Sequence, residues 1–275
     1  MVSDPLRGVL DADSLRAGLI GPDLPWRRIT VVQQTGSTNA DLLAWAAGGE
    51  DIGGLVLVAE HQSAGRGRNG RSWSAVPRAQ LTLSVGVPAH DVPAEGWGWL
   101  PLAAGVAVVD AVVAVTGVKA GLKWPNDVLA GPNAGKLAGI LAEVAAPRPM
   151  IVVGLGLNVT LRDDELPTPD ATSLLALGVV APDRDRLLRA LLRELGRRID
   201  DWRNAGGADA VLRADYHLRS LTIGSRVRAL LPGGSQIVGT AESVDSQGRL
   251  RIETDRGIVS VSAGDIVHLR LTDGP

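Results

Sequence analysis

The sequence predicts an α+β fold, a β-sheet packed with helices and followed by a compact C-terminal β-barrel. Three observations carry this. Short alternating or continuously apolar strands and helical patterns share the first 220 residues, two long apolar strands follow one another near the middle, and from Leu221 the pattern changes to brief strands separated by close turns. We therefore divide the 275 residues into 1–220, a main domain, and 221–275, a small β-module.

Residues 29–34 alternate toward a strand, and Thr38 with Asp41 makes a capping-box-like start to a short helix running through Trp45 and Ala47. Leu55 to Ala59 reads as a second strand. In the third, Leu81, Leu83, Val85 and Val87 alternate with Thr82, Ser84 and Gly86, so one face is apolar and the other small. A long apolar helix is expected from about Gly98 to Thr116. Leu122-Lys123-Trp124 and a turn rich in Pro, Asn, Asp and Gly come next, then strands at Lys136 to Val144 and Ile151 to Val159 that mark the sheet centre. Leu187, Leu188, Leu191, Leu192, Leu195, Ile199 and Trp202 have helical spacing, and the charges among them form its solvated face. In the module, strands are expected at 226–231, 237–244, 250–253 and 258–261.

Composition narrows the chemistry. A net charge of -2 argues against a general nucleic-acid binder. The absence of cysteine excludes thiolate nucleophiles and disulfides, and the four scattered histidines do not suggest a metal cluster. The N-terminus has no apolar run of signal-peptide kind. The apolar stretch 100–118 carries Asp110 and two glycines and reads as a buried helix, so a cytoplasmic protein without membrane attachment is expected. Only Lys119, Lys123 and Lys136 stand against 25 arginines, which suggests that a retained lysine serves a site wanting a compact charge.

The most informative stretch is Gly65-Arg66-Gly67-Arg68-Asn69-Gly70-Arg71. From Glu60 to Arg78, four arginines against one glutamate give a local +3, and the glycines let backbone N–H groups approach an anion. Its Gly-x-Gly-x-x-Gly matches the dinucleotide fingerprint literally, but a strand follows where that motif needs a helix. Gly131 to Lys136 imitates a Walker loop with one residue too few and Leu137 in place of Ser or Thr.

Ser37-Thr38-Asn39, the run Gln62-x-x-Gly65-Arg66-Gly67-Arg68-x-Gly70-Arg71-x-Trp73, Lys123-Trp124-Pro125-Asn126-Asp127 and Lys136-Leu137-Ala138-Gly139-Ile140-Leu141 together resemble the biotin protein ligases in order, spacing and content. The resemblance implies a mixed-sheet catalytic domain related to class II aminoacyl-tRNA synthetases and lipoate ligases, with an SH3-like C-terminal domain. It implies ATP and biotin as substrates, Mg2+ arriving with ATP and no dedicated metal cage. Biotinyl-5′-AMP would form first, and its biotin would pass to a lysine of a biotin carboxyl carrier domain.

Two anions must meet in such a reaction, so fixed cations are required. Lys136, Arg68 and Asp127 are the expected catalytic residues. Lys136 would lie between carboxylate and phosphate, Arg68 at the reacting phosphoryl group, and Asp127 beside the incoming amine or a phosphate-bound magnesium. Ser37, Thr38, Asn39 and Gln62 would meet the biotin ureido group, with Gly65, Arg66, Gly67 and Gly139 completing that site. Arg66, Arg71, Trp73, Lys123, Asn126 and Asn158 would serve the adenylate, Lys119 lying outside. Trp124 is by default core.

Some members carry an N-terminal DNA-binding domain. Only about 28 residues precede the first strand here, so the expectation is a ligase without operator binding, monomeric or weakly dimeric. A lipoate ligase is the rival enzyme, but a dithiolane needs no ureido partners. A non-catalytic adenylate sensor or an RNA-binding protein is the rival from another class.

Overall fold

The computed structural model describes residues 4–231, 233–262 and 264–268. Seven strands build the main sheet: β1 (Arg28–Val32), β2 (Leu55–Ala59), β3 (Gln80–Pro88), β4 (Ala120–Lys123), β5 (Asp127–Ala130), β6 (Gly135–Ala145) and β7 (Met150–Asn158). Their order is β1-β2-β3-β7-β6-β5-β4. Only β1 and β2 run parallel, so the sheet is mixed and β7 lies at its centre.

The period-two pattern divides the sheet's faces. Leu81, Leu83, Val85 and Val87 point with Ile151, Val153, Leu155 and Leu157 into the larger core, under α3 (Leu100–Thr116) and α4 (Arg184–Asn204). On the other face, Leu57 and Val152 pack against Leu42 of α2 (Thr38–Ala47), and Thr82, Ser84, Gly154 and Gly156 leave room beside that helix. That room becomes the functional cleft.

Several elements differ from the sequence reading. The apolar helix starts as a 3-10 turn over Ala94–Trp99, and its α-helical part is Leu100–Thr116, ended by Gly117 at φ 72°. Its apolar face is spent on core packing against α4 and the sheet. The expected turn around Pro125 is the tip of the β4–β5 hairpin, whose strands are too short and mixed to show alternation. Helices α1 (Ala12–Leu19) and α5 (Ala210–Arg219) and strand β12 (Asp265–His268) had no strong local signal; they are short and bury only a few residues. Ser37, not Thr38, caps α2. Its backbone is extended and its side chain accepts the Ala40 N–H, while Thr38 already lies in the first turn.

The C-terminal module pairs β8 (Arg226–Leu230), β9 (Gln236–Val244), β10 (Leu250–Thr254), β11 (Gly257–Val261) and β12 in the antiparallel order β11-β10-β9-β8-β12. Two buried indoles seat it on the main domain. Trp99 donates to the Asp245 carbonyl at 2.8 Å and Trp124 to the Gly248 carbonyl at 3.0 Å. The Trp124 backbone N–H is also taken by Thr222 Oγ1, at 3.1 Å. Trp124 is thus core, as expected, and joins the two sheets.

Candidate functional site

A cleft of about 360 Å³ opens between the N-terminus of α2, the Arg/Gly loop, the β4–β5 hairpin, β6, β7 and the module's β12. At one end the polar groups are mutually bonded, neutral except for Glu143 at the rim, which Arg66 pairs. Gln62 Oε1 accepts the Thr38 N–H at 2.8 Å and lies 3.0 Å from its hydroxyl, which sits 2.6 Å from Ser84 Oγ. Ser84 donates to Asn39 Oδ1 at 2.6 Å, and the Asn39 amide donates to Glu143 at 2.9 Å and to the Leu141 carbonyl. Ser37, Thr38, Asn39 and Ser84 are all buried. Leu141, opposite Gly154 on the cleft face, and the Trp73 ring supply apolar wall. Such a pocket suits a neutral polar ring with an apolar body.

Ser84 and Glu143 belong to this network and were missed in the sequence. Ser84 carried a signal, being a hydroxyl on the small face of β3; Glu143, one acid on a long strand, carried none.

The Arg/Gly loop folds back on itself. Gly67 N–H donates to the Arg71 carbonyl at 2.7 Å and Trp73 N–H to the Gly65 carbonyl at 2.8 Å. A Cβ on Gly65 would stand 2.5 Å from the Trp73 carbonyl oxygen, so this glycine is required by close approach. Between these bonds Asn69, at φ 56°, makes the reversal. Arg66 pairs with Glu143 at 2.7 Å, Arg71 with Asp265 of β12, and Arg68 donates to Asn126 Oδ1 at 3.2 Å. Burial pushes the Arg68 guanidinium below its ordinary pKa, against the pull of Asp265 and Asp127, yet an arginine stays charged.

At the floor, Lys136 Nζ stands 2.6 Å from Asp127 Oδ1. This ion pair is the contact that the buried Oδ1 makes; the oxygen has no hydrogen-bond partner besides. The 170–172 segment fixes the Lys136 backbone, accepting its N–H at Asp170 and donating to its carbonyl from Thr172. The Trp73 ring lies 5.8 Å from Lys136 Nζ and rests on Gly139 and Gly156, with its indole Nε1 buried and unpartnered.

The structure thus brings Ser37, Thr38, Asn39, Gln62, Arg66, Gly67, Arg68, Arg71, Trp73, Lys123, Asn126, Asp127, Lys136 and Gly139 onto one cleft. Gly65 shapes the loop from beneath. Asn158 is placed differently: its carbonyl accepts from Gln80 at 2.8 Å and its amide donates to the Thr172 and Lys136 carbonyls, behind the lining. Lys119 does not line the cleft, whereas Asp265, Ile266 and Val267 of β12 do. No cluster of three metal-ligating side chains occurs among the described residues.

Residues 34–158 match the Biotin/lipoate A/B protein ligase family and residues 222–269 the biotin protein ligase C-terminal domain. The chain is 61% identical over 270 residues to the biotin–[acetyl-CoA-carboxylase] ligase of Mycobacterium tuberculosis, covering 97% of this chain and 98% of that protein. It is 31% identical to the bifunctional ligase/repressor BirA of Escherichia coli, over 88% of this chain and 74% of the relative. Among solved structures, the biotin protein ligase of Aquifex aeolicus in complex with biotin and ATP superposes with a TM-score of 0.76 at 26% identity, over 89% of this chain and 100% of that one. Motif order, cleft geometry and these matches agree: the chain belongs to the biotin protein ligase family.

Proposed function

We infer that this protein is an ATP-dependent biotin protein ligase that attaches biotin to the carrier protein of a biotin-dependent carboxylase. One observation carries the reading. A bonded neutral pocket around Gln62, Thr38 and Asn39 stands in the same cleft as the cations Arg68 and Lys136. The first would hold an uncharged ureido ring and the second the two anions that must react.

In the first step a biotin carboxylate oxygen attacks the α-phosphorus of ATP, and the bond to the β-phosphate oxygen breaks to release pyrophosphate. Repulsion between carboxylate and polyphosphate opposes this approach. We assign its relief to Lys136, whose compact ammonium can face both anions, and to Arg68 over the developing phosphoryl charge. The Trp73 ring, seated on Gly156 and Gly139, is proposed to stack on the adenine, and Lys123 and Asn126 to border the adenylate.

In the second step the carrier lysine nitrogen attacks the anhydride carbonyl. The carbonyl–oxygen bond to AMP breaks, AMP leaves carrying the bonding electron pair, and the proton shed by the amine passes to solvent. Asp127 is proposed to orient that amine. Magnesium arriving with ATP would supply neutralisation of phosphate charge. Asp127, the floor carboxylate that faces Lys136, would be the protein oxygen donor to it, complementing phosphate oxygens and water.

The lipoate alternative is not favoured: a relative matched over 97% of the chain and a solved structure matched over 89% of it are biotin ligases by name. The test is incubation with ATP, magnesium and a carrier domain, offering biotin or lipoate, with acceptor mass as readout. A biotin-sized adduct is expected, and none would refute the reading.

A further inference from the structure

Outside the cleft lining, Glu60 and Arg184 form an ion pair whose side chains are 2% and 4% exposed, the most buried pair among the described residues. Burying two charges is costly, so a pair of this kind is weak evidence of stabilisation; where it has a role, the role is to specify one arrangement. What Glu60 touches indicates which arrangement. It follows β2 directly and lies two positions before Gln62. Its backbone N–H donates to Val32 at 2.9 Å, and its carbonyl accepts the Arg78 N–H at 2.8 Å.

The Arg/Gly loop therefore leaves the sheet after Glu60 and returns, at Arg78, to Glu60. Arg78 holds φ 58°, a left-handed backbone uncommon for a non-glycine residue. The Glu60 side chain is anchored on both oxygens, Oε1 by the Leu10 N–H at 2.7 Å and Oε2 by Arg184. Arg184 sits in the first turn of α4 and also donates to the Gly8 carbonyl at 3.1 Å.

We propose that Glu60 and Arg184 are positioning residues for the ligase reaction: by fixing both feet of the Arg/Gly loop they set Gln62 against biotin and hold the loop over the adenylate. This rests on the ligase reading above. The pair acts through Gln62 and the loop and touches no substrate itself.

The decisive variant is Glu60→Gln combined with Arg184→Met, which removes both buried charges while the Gln amide oxygen can still accept the Leu10 N–H. A merely structural pair would be repaired by this double change. A positioning pair would not, so the double variant should melt close to wild type, yet show a biotin KM raised about tenfold and biotinyl adenylate lost about tenfold faster, with kcat changed less than about twofold. Arg184→Lys keeps the cation but loses the fork to Gly8, and an increase of about threefold in biotin KM is expected. Wild-type values in the double variant overturn the proposal, as does an unchanged biotin KM in Arg184→Lys should the double variant not fold. If wild type itself makes no adenylate, the ligase reading fails instead. Amide exchange over 61–79 then tests the pair without substrate: faster exchange in Arg184→Lys than in wild type supports it, and unchanged exchange refutes it.

Discussion

The Trp73 indole covers Gly156 so closely that a Cβ there would stand 2.4 Å from its ring. Gly156 lies on the central strand β7, so the platform cannot retreat and the ring must move. Overpacking of this kind costs about 1–3 kcal/mol, and we expect Gly156→Ala to raise the ATP KM by about tenfold or more with a smaller effect on biotin KM. Steady-state kinetics with each substrate varied would check this, and an unchanged ATP KM would remove the stacking role.

Lys136→Ala is expected to lower the rate of adenylate formation by about two to three orders of magnitude, the scale of losing one fixed donor at a developing charge. Pyrophosphate release reads that step directly. Lys136→Arg should not restore it, because a planar fork cannot occupy the point between two anions. Arg68→Gly differs in kind: the adenylate should form and then escape, detected as free biotinyl-5′-AMP in the filtrate. Retention of the intermediate at the wild-type rate would contradict the clamp.

Arg71 and Asp265 join the loop to the C-terminal module across 194 residues of sequence. Both are substantially exposed, so Asp265→Ala should change unfolding free energy by less than about 1 kcal/mol. Its kinetic effect should be larger in proportion, with the adenylate dissociating roughly threefold faster as the loop loses its tether. Denaturant unfolding and adenylate dissociation measured on one preparation would separate the two.

One close turn of the module receives both seating indoles. Gly248 has φ 78°, and a Cβ on it would stand 2.6 Å from the Gly98 carbonyl carbon. Gly248→Ala is therefore expected to destabilise the protein by about 1–3 kcal/mol and to displace the carbonyl that Trp124 bonds. Tryptophan emission should shift as that indole loses its partner. An unshifted spectrum with full stability would show that the turn is not the seat.

His268 lies beside Lys123 and Thr222 on the module's last described strand. Burial, and then the Lys123 charge, push its pKa below the ordinary histidine value near 6.5. The folded state thus prefers neutral imidazole, and between the depressed and the ordinary pKa the unfolded chain binds more protons. Its contribution is complete above about pH 6.5 and is lost as pH falls through the folded pKa. Thermal unfolding between pH 7.5 and 5 should show this loss in wild type and less of it in His268→Asn.

Periodicity and turn chemistry act within a single element, and this is why β2, β3, β6, β7, α3 and α4 were legible in the residues. The seven-residue Arg/Gly loop, too, announced an anion by composition alone. Where elements were missed, the local pattern was faint. The β4–β5 hairpin has four residues a strand, too few to show a period, and α1 buries only Leu15 and Leu19. Thr38 resembled a cap by residue type, and only the extended backbone of Ser37 decided which of two adjacent hydroxyls took that role.

By itself the sequence determined the ordered motifs, the alternation that leaves β3 apolar on one face and small on the other, and the retained lysine at position 136. Each of these is written in neighbouring residues. Only the tertiary structure decided that Lys136 faces Asp127, that Trp73 lies on Gly156, that Ser84 and Glu143 complete the polar pocket, and that Asp265 of the module reaches Arg71. Those relationships depend on strand order and register across the sheet and on how the module is seated, which arise from packing the whole core and leave no periodic trace along the chain.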